Sequence, residues 1–419
     1  MVFDAGLPTL AYEHLDDPAE AHRLIAEARS QAPIAIGAHG PELLTYELVR
    51  SVLRDSRFRV PQGMFLAAQG ITSGPLWDRV ATNLISLDGE QHHRLRRLVS
   101  KAFTPRATAR LRATVTDVIT ELVEQQIPLG RCDVVNDIAR QYPIPIICAL
   151  LGAPREDWKL FSDWTDDIFK VFGWNVADEV DSILAAWDEL DAYIDDMVAR
   201  RRDTLTDDLI SELIRAEDDG DRLTTDELRM LVAGLLMAGT DTTRNQLAAA
   251  VDVLSAHPDQ WALLGEHPEL AAGAVEEVMR HSPIAVGMLR TALVDVELAG
   301  VTIPAGTLVI ANMGSANRDP AVFTDPDRLD VTRHITRPEA PAMLTFGGGM
   351  HYCMGAHLAR LELAEALAVM TRRMPKARRV GPAPWKPLTG LSGPITLTIE
   401  FEAEPIQAPA TGKVLAAAG

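Results

Sequence analysis

Phe346-Gly347-Gly348-Gly349-Met350-His351-Tyr352-Cys353-Met354-Gly355 is the stretch on which the fold turns, and AHLARLELAEALAVM follows it directly. The three glycines permit sharp turns and a close approach of backbone to another body. The segment behind them has the spacing of an amphipathic helix, predicted over 356–374. Cys353 therefore stands just ahead of a helix start, where the dipole and unsatisfied N–H groups favour a thiolate and lower the thiol pKa. A glycine-rich loop, one cysteine and a helix start together describe a ligating thiolate. On residue types alone, the alternative is a buried structural cysteine, the usual fate of a lone Cys.

A second anomaly lies upstream. Thr224-Thr225-Asp226-Glu227 reads as a capping box opening a helix over 225–256, roughly 48 Å long at 1.5 Å per residue. Leu231, Val232, Leu235, Leu236 and Met237 make its middle apolar, yet Gly239-Thr240-Asp241-Thr242-Thr243 sits in that middle. These residues cost roughly 0.5–1 kcal/mol each relative to Ala in a helix interior. A charged Asp there also needs a partner or water. A site built into the helix explains the run better than a tolerated kink does.

The cysteine loop resembles the haem-binding loop of the cytochrome P450 family, whose pattern is F-x-x-G-x-x-x-C-x-G. Phe346, Gly349, Cys353 and Gly355 fill every fixed position. Ala238-Gly239-Thr240-Asp241-Thr242 is similar to the family's A-G-x-D-T motif, in the order expected. The resemblance implies haem b held by the Cys353 thiolate, with Phe346, Ala238 and Gly239 against the cofactor. It makes Thr242 a hydrogen-bond donor to the oxygen being activated beside the iron, in a widened groove of the helix. Asp241 becomes a proton relay from solvent, a general-acid role.

Three further matches carry less weight singly. Glu277-Val278-Met279-Arg280 resembles the family's E-x-x-R, whose two side chains share one helical face. The family adds an Arg from a later loop to form a structural triad; Arg328 is the expected third member, with Arg333 as rival. His92-His93-Arg94-Leu95-Arg96 is similar to H-x-R-L-R, which makes His92 and Arg96 partners of the haem propionates, although His93 and Arg97 also stand four apart. Arg290 and His351 match the other propionate contacts. Ser315-Ala316-Asn317-Arg318-Asp319-Pro320 is a further family-like stretch of structural character. The resemblance runs from about residue 86 to 402, with Gly89 departing from a frequent Pro.

The implied fold is mainly α with a small β region, the triangular prism of that family, as a single domain over 1–419 with about 404–419 a flexible tail. Periodicity places helices at 18–32, 41–54, 90–100, 104–127, 155–169, 177–202, 206–217, 258–264 and 268–281, besides those above. Strands are expected at Ile34–Ile36, Val294–Leu298, Leu308–Ala311 and Thr396–Glu400. A net charge of −19 disfavours a nucleic-acid partner, which needs a basic face. Cys132, Cys148 and Cys353 form no C-x-x-C pair, and three scattered thiols fit a reducing cytoplasm. Asp4, Pro8, Glu13 and Asp16 interrupt any signal-like apolar run, and Met230–Gly239 is too short to span a bilayer, so no membrane anchor is expected.

By position in the family, Leu84, Ile85, Phe172, Leu235, Ile284, Val286, Met288 and Leu391 line the substrate pocket. The pocket also draws on Phe65, Leu66, Ile71, Trp77 and Ala238, and Phe169 and Trp174 join Phe172 in a lid. Nearly all are apolar, so a hydrophobic, neutral organic substrate such as a fatty acid, terpenoid, steroid or aromatic is expected. No flavin or iron–sulfur motif is present, so the resemblance implies O2 as oxidant and electrons from a separate ferredoxin and ferredoxin reductase, with NAD(P)H as source. Arg94, Arg97, Lys101, Arg106 and Arg110 are the basic residues expected to guide an acidic ferredoxin. A haem sensor or carrier would keep Cys353 but has no use for Asp241-Thr242, and a peroxide-driven haem enzyme commonly replaces that pair. A zinc hydrolase using His351, Cys353 and His357 satisfies residue types alone.

Overall fold

A helix with apolar residues on several sides has to find cover around most of its circumference, and the central helix Thr225–Ser255 does so. In the computed structural model, which describes residues 1–218, 223–337, 339 and 341–402, this 31-residue helix passes through the largest core cluster. Its start is the capping box read from the sequence: Thr224 Oγ1 accepts from the Glu227 N–H at 3.2 Å, and Glu227 Oε2 accepts from the Thr224 N–H at 3.0 Å. Helices Pro143–Leu151, Val180–Asp203 and Ala356–Arg373 pack around it. Gly239 is where the fit is tightest, because a Cβ there would lie 2.9 Å from Ile147 Cδ1 and Cγ1 of the 143–151 helix.

The β portion is small. Strands β1 (Ile34–Gly37), β2 (Gly40–Leu43), β3 (Phe58–Arg59), β4 (Gly287–Ala292) and β5 (Leu308–Asn312) form one sheet in the order β1-β2-β5-β4-β3. Only the β2–β5 pair is parallel. A separate two-stranded ladder, Trp385–Lys386 with Gly393–Pro394, lies against the central helix, where a Cβ on Gly393 would meet Asn245 Oδ1 at 2.7 Å.

Most predicted helices stand within a few residues of their expected ends, including Pro18–Gln31, Gly89–Ser100 and Ala356–Arg373. Three differences have physical causes. The helix expected over 41–54 is split: 40–43 is strand β2, hairpin partner of β1, and only Tyr46–Val52 is helical. Pro41 cannot supply an amide to a helix interior, and Glu42 is buried in the sheet, bonded by Tyr12 at 3.1 Å and Asn312 at 2.8 Å. The helix expected over 104–127 breaks into Pro105–Ala109 and Arg112–Gln126. Strand β4 and helix Pro143–Leu151 had no expectation; in the helix, a short apolar run with two prolines carries no readable period. The tail expected from about residue 404 lies outside the described residues.

The E-x-x-R element is an ion cluster with no exposure. Glu277 and Arg280 are both 0% exposed, joined at 2.8 and 3.0 Å. The third member is Arg333, not Arg328: Arg333 Nε donates to both Glu277 oxygens at 3.1 and 3.0 Å. Arg328 is exposed and contributes its carbonyl, which accepts from Arg333 at 2.9 Å and from Arg280 at 3.4 Å. The chain turns at Thr332 into the short helix Arg333–Thr336, which aims Arg333 back at the 271–281 helix.

Glu362 is a different case. It is 1% exposed, neither carboxylate oxygen has a hydrogen-bond partner among the described residues, and burial pushes its carboxyl up to about 8 although Thr243 works the other way. A folded-state pKa above the unfolded one means the native chain holds the extra proton. That stability is fully present at acid pH and is lost as pH rises from the ordinary 4.5 through about 8. Glu362→Gln should therefore raise the thermal midpoint more at pH 8.5 than at pH 5 (roughly either side of that window). An equal effect at both pH values in a melting series would contradict the assignment.

Candidate active site

Gly347 and Gly349 have φ of +72 and +66, the left-handed region that side chains disfavour. At Gly349 there is a second demand, since a Cβ would lie 2.5 Å from the Leu53 carbonyl oxygen. The loop is thus wound tightly onto the end of helix Tyr46–Val52 and closed by the Cys353 N–H donating to the Phe346 carbonyl at 2.9 Å. Arg360, one turn into the following helix, lies 4.4 Å over the Phe346 ring and is held by Glu276 at 3.1 Å and by the Tyr352 hydroxyl at 3.2 Å.

Cys353 is accessible although protein surrounds it. Cys132 and Cys148 are buried, and burial pushes both thiols up to about 12. Burial is also the largest influence on Cys353 and pushes its thiol up, while the Gly355 N–H, Arg96 and Arg360 pull it down. The expected lowering by the helix start is therefore corrected: enclosure outweighs it, and a bound metal ion would be what removes the proton.

The central helix shows a similar signature. In the deeply packed central helix, Ala238 is exposed and Gly239 and Thr242 are partly so, while Leu231, Val232, Leu235 and Leu236 are buried. A small residue accessible in the middle of an otherwise covered helix marks a space beside that helix. The helix is not widened there; it is unbroken from 225 to 255, with Thr242 Oγ1 and Thr240 Oγ1 each donating to the carbonyl four residues back at 2.7 Å. Gly239 is partly exposed, and a Cβ there would also crowd Ile147 at 2.9 Å.

Arg290, Arg96 and two histidines gather at one edge around a single acid, Asp88. Arg290 is 4% exposed, donates only to its own Leu289 carbonyl at 2.8 Å, and is pushed down to about 10 by burial, with Asp88 opposing. His92 is 1% exposed, its Nδ1 has no partner, and burial, His351 and Arg96 push it down to about 4. Its ring lies 4.5 Å from that of His351. Arg96 donates to the Tyr352 carbonyl at 2.5 Å. Orphaned buried donors around an open space are what a dianionic group would satisfy. The donor set thus fits a haem: Cys353 to the iron, Arg96, Arg290, His92 and His351 to the propionates, Phe346 and Ala238 to the ring faces.

Two participants escaped the sequence reading. Asp88 binds His351 Nε2 at 2.9 Å; its position before helix Gly89–Ser100 reads as a cap, yet it makes no capping bond. Arg244 ion-pairs with Asp241 and with Asp166, and Asn245 donates to Asp241 Oδ2 at 3.0 Å. Asp241 is only 2% exposed and is thereby compensated. Only the i,i+3 spacing of Asp241 and Arg244 hinted at this.

The expected pocket is partly assembled. Phe172 and the Leu391 loop meet, since a Cβ on Gly390 would lie 2.3 Å from the Phe172 carbonyl oxygen. Met288 reaches the cysteine loop, its Cε 3.6 Å from the Cβ position of Gly347. Leu84 is half-buried and Ile85 exposed, and the neighbouring Asn83 lies against Gly234 of the central helix. Leu235 is nearly covered, at 7% exposure. Ile284 and Val286 are corrections: they are buried in a cluster with Leu10, Ile25 and Trp385, and Val286 packs on Gly314 with no accessible surface. Leu66 is likewise wholly buried. Arg94, expected on the basic face, is bound to Glu227, while Arg97, Lys101, Arg106 and Arg110 are exposed. Among the described residues no three of His, Cys, Asp or Glu converge as a metal site, and no helix is long and apolar enough to cross a membrane.

Comparison with known proteins agrees with this geometry. Residues 44–374 match the family model described as Cytochrome P450. The mycinamicin IV hydroxylase/epoxidase of Micromonospora griseorubida is 41% identical over 360 residues, covering 84% of this chain and 87% of the relative. The luteothin monooxygenase of Streptomyces thioluteus is 38% identical over 383 residues, covering 90% and 92%. Among solved structures, epothilone B-bound cytochrome P450epoK superposes with a TM-score of 0.84 at 31% identity, covering 91% of this chain and 96% of that one. With these matches running over most of its length, the chain belongs to the cytochrome P450 family, and is an oxidoreductase of the monooxygenase kind.

Proposed function

We propose that the protein inserts one atom of O2 into a hydrophobic organic molecule, as a hydroxylation, with electrons from a separate ferredoxin and ferredoxin reductase drawing on NAD(P)H. The observation that carries this is the placement of Thr242 on the accessible wall with Asp241 immediately behind it, held ready by Arg244 and Asn245. Haem b, when bound through Cys353, supplies the redox-active iron, and thiolate donation favours O–O cleavage. The chain's residues do the rest. Thr242 offers a hydroxyl at the cavity surface, at present parked on the Ala238 carbonyl. Asp241 holds or passes a proton to that hydroxyl's neighbourhood. Phe172, Met288, Leu84, Ile85 and Leu391 exclude water and orient an apolar guest.

The relatives' names support the chemistry, one being a hydroxylase/epoxidase of mycinamicin IV and another a monooxygenase. The test is turnover of a panel of neutral apolar compounds with ferredoxin, reductase and NAD(P)H under isotopically labelled O2. One labelled oxygen in a product supports the reading; turnover with peroxide alone and none with the electron-transfer chain would replace it. Asp241→Asn should lower turnover about 100-fold, the lower range for a positioned general acid, with substrate binding unchanged. Activity within a few fold of wild type would remove Asp241 from the relay. Reversing charge at the exposed Arg106 or Arg110 should slow haem reduction and weaken its salt dependence. Unchanged reduction kinetics in a stopped-flow trace would dismiss that docking face.

A further inference from the structure

A cleft of about 180 Å³ lies behind Asp241, between the turn Val134–Ala139, the central helix and the 385–386/393–394 ladder. Its polar wall is Arg140, Asp166, Arg244, Asn245 and Lys386. Arg140 and Arg244 both ion-pair with Asp166, and Arg244 reaches on to Asp241. The acids are held by the two arginines: Asp166 by both, Asp241 by Arg244, and the half-exposed Asp163 by Arg140 at 3.7 Å. Lys386 makes only a 3.4 Å hydrogen bond to Asn245 Oδ1 and has no acid partner among the described residues. Arg244 is 7% exposed, and its buried Nη1 has no hydrogen-bond partner among them either.

Lys386 is partly buried without an acid partner among the described residues, and an anion seated beside it supplies one. The volume is well below the roughly 300–1,000 Å³ of pockets for drug-sized ligands, so the occupant is a group of a few heavy atoms. We propose that this cleft binds a small oxyanion, a carboxylate or phosphate group, between Lys386, Arg140 and Arg244. Arg244 is shared with Asp241, so a bound anion competes for the guanidinium and loosens its hold on that acid. The site thereby couples an anion in solution to the proton-handling side of the cavity. Binding itself does not rest on the oxygenase reading.

The experiment is thermal unfolding and calorimetric titration of the haem-loaded protein with inorganic phosphate, acetate or chloride at matched ionic strength. A ligand that binds only the native state raises the midpoint saturably. Phosphate or acetate is expected to do so beyond chloride, and whichever does so names the anion. Lys386→Met, checked as folded by its absorption spectrum, should weaken that binding about tenfold, the value of one charge-assisted hydrogen bond. The proposal is overturned if neither oxyanion exceeds chloride, or if Lys386→Met binds as wild type does.

Discussion

Cys353→Ala should abolish turnover while leaving the chain folded. The side chain lies in an accessible spot, so removing its sulfur opens no new core cavity, and the Cys353 N–H bond to Phe346 survives. What disappears is the one exposed thiol of the three. Cys132→Ala and Cys148→Ala are the controls: both are core residues, so each should lower the thermal midpoint, by roughly 1–3 kcal/mol of lost packing, yet retain activity per folded molecule. Product formation and unfolding midpoints measured for all three variants decide the matter. If Cys353→Ala kept its activity, or if either control lost it while folded, the thiolate would have been assigned to the wrong residue.

The largest effect on stability is expected at Glu277. This carboxylate accepts from Arg280, Arg333 and the Asp330 N–H, and none of its surface is exposed. Breaking a buried ion pair from one side costs about 3–5 kcal/mol, because the partner is left charged and unpaired. Here two guanidiniums are left, against a total stability of roughly 5–15 kcal/mol. Glu277→Ala should therefore fail to accumulate as holoprotein or should melt far below wild type. Glu277→Gln, which keeps acceptor and shape, should fall between. Arg328→Ala, which removes only an exposed side chain, should be neutral. Equal midpoints for Glu277→Ala and wild type would contradict this account of the cluster.

What could be read in advance was whatever is written in short-range spacing. The capping box at Thr224, the Glu277–Arg280 pair and the glycine loop are each contained within ten residues, and each stands as read. Selection between Arg328 and Arg333 was beyond such reading, since it depends on the direction of the turn at Thr332. Asp88 on His351 and Arg244 on Asp166 join elements far apart in sequence, and one sequence does not display such pairings. Segment 41–54 was misread because the hairpin with 34–37 overrode helical periodicity. The pocket suffered most: whether Val286 faces a cavity or the core is decided by one residue of strand register, which flips the side chain to the other face. The pKa of Cys353 shows the same limit, because a dipole is local but desolvation belongs to the assembled fold.

The measurement that tests the central claim most directly is the carbon monoxide difference spectrum of the reduced, haem-loaded wild-type protein. A far red-shifted Soret band is predicted, the signature of a cysteine thiolate opposite the carbon monoxide, and it should be missing in Cys353→Ala. A spectrum without that band in fresh, fully loaded protein, or one that persists in Cys353→Ala, would contradict a haem-thiolate centre at Cys353.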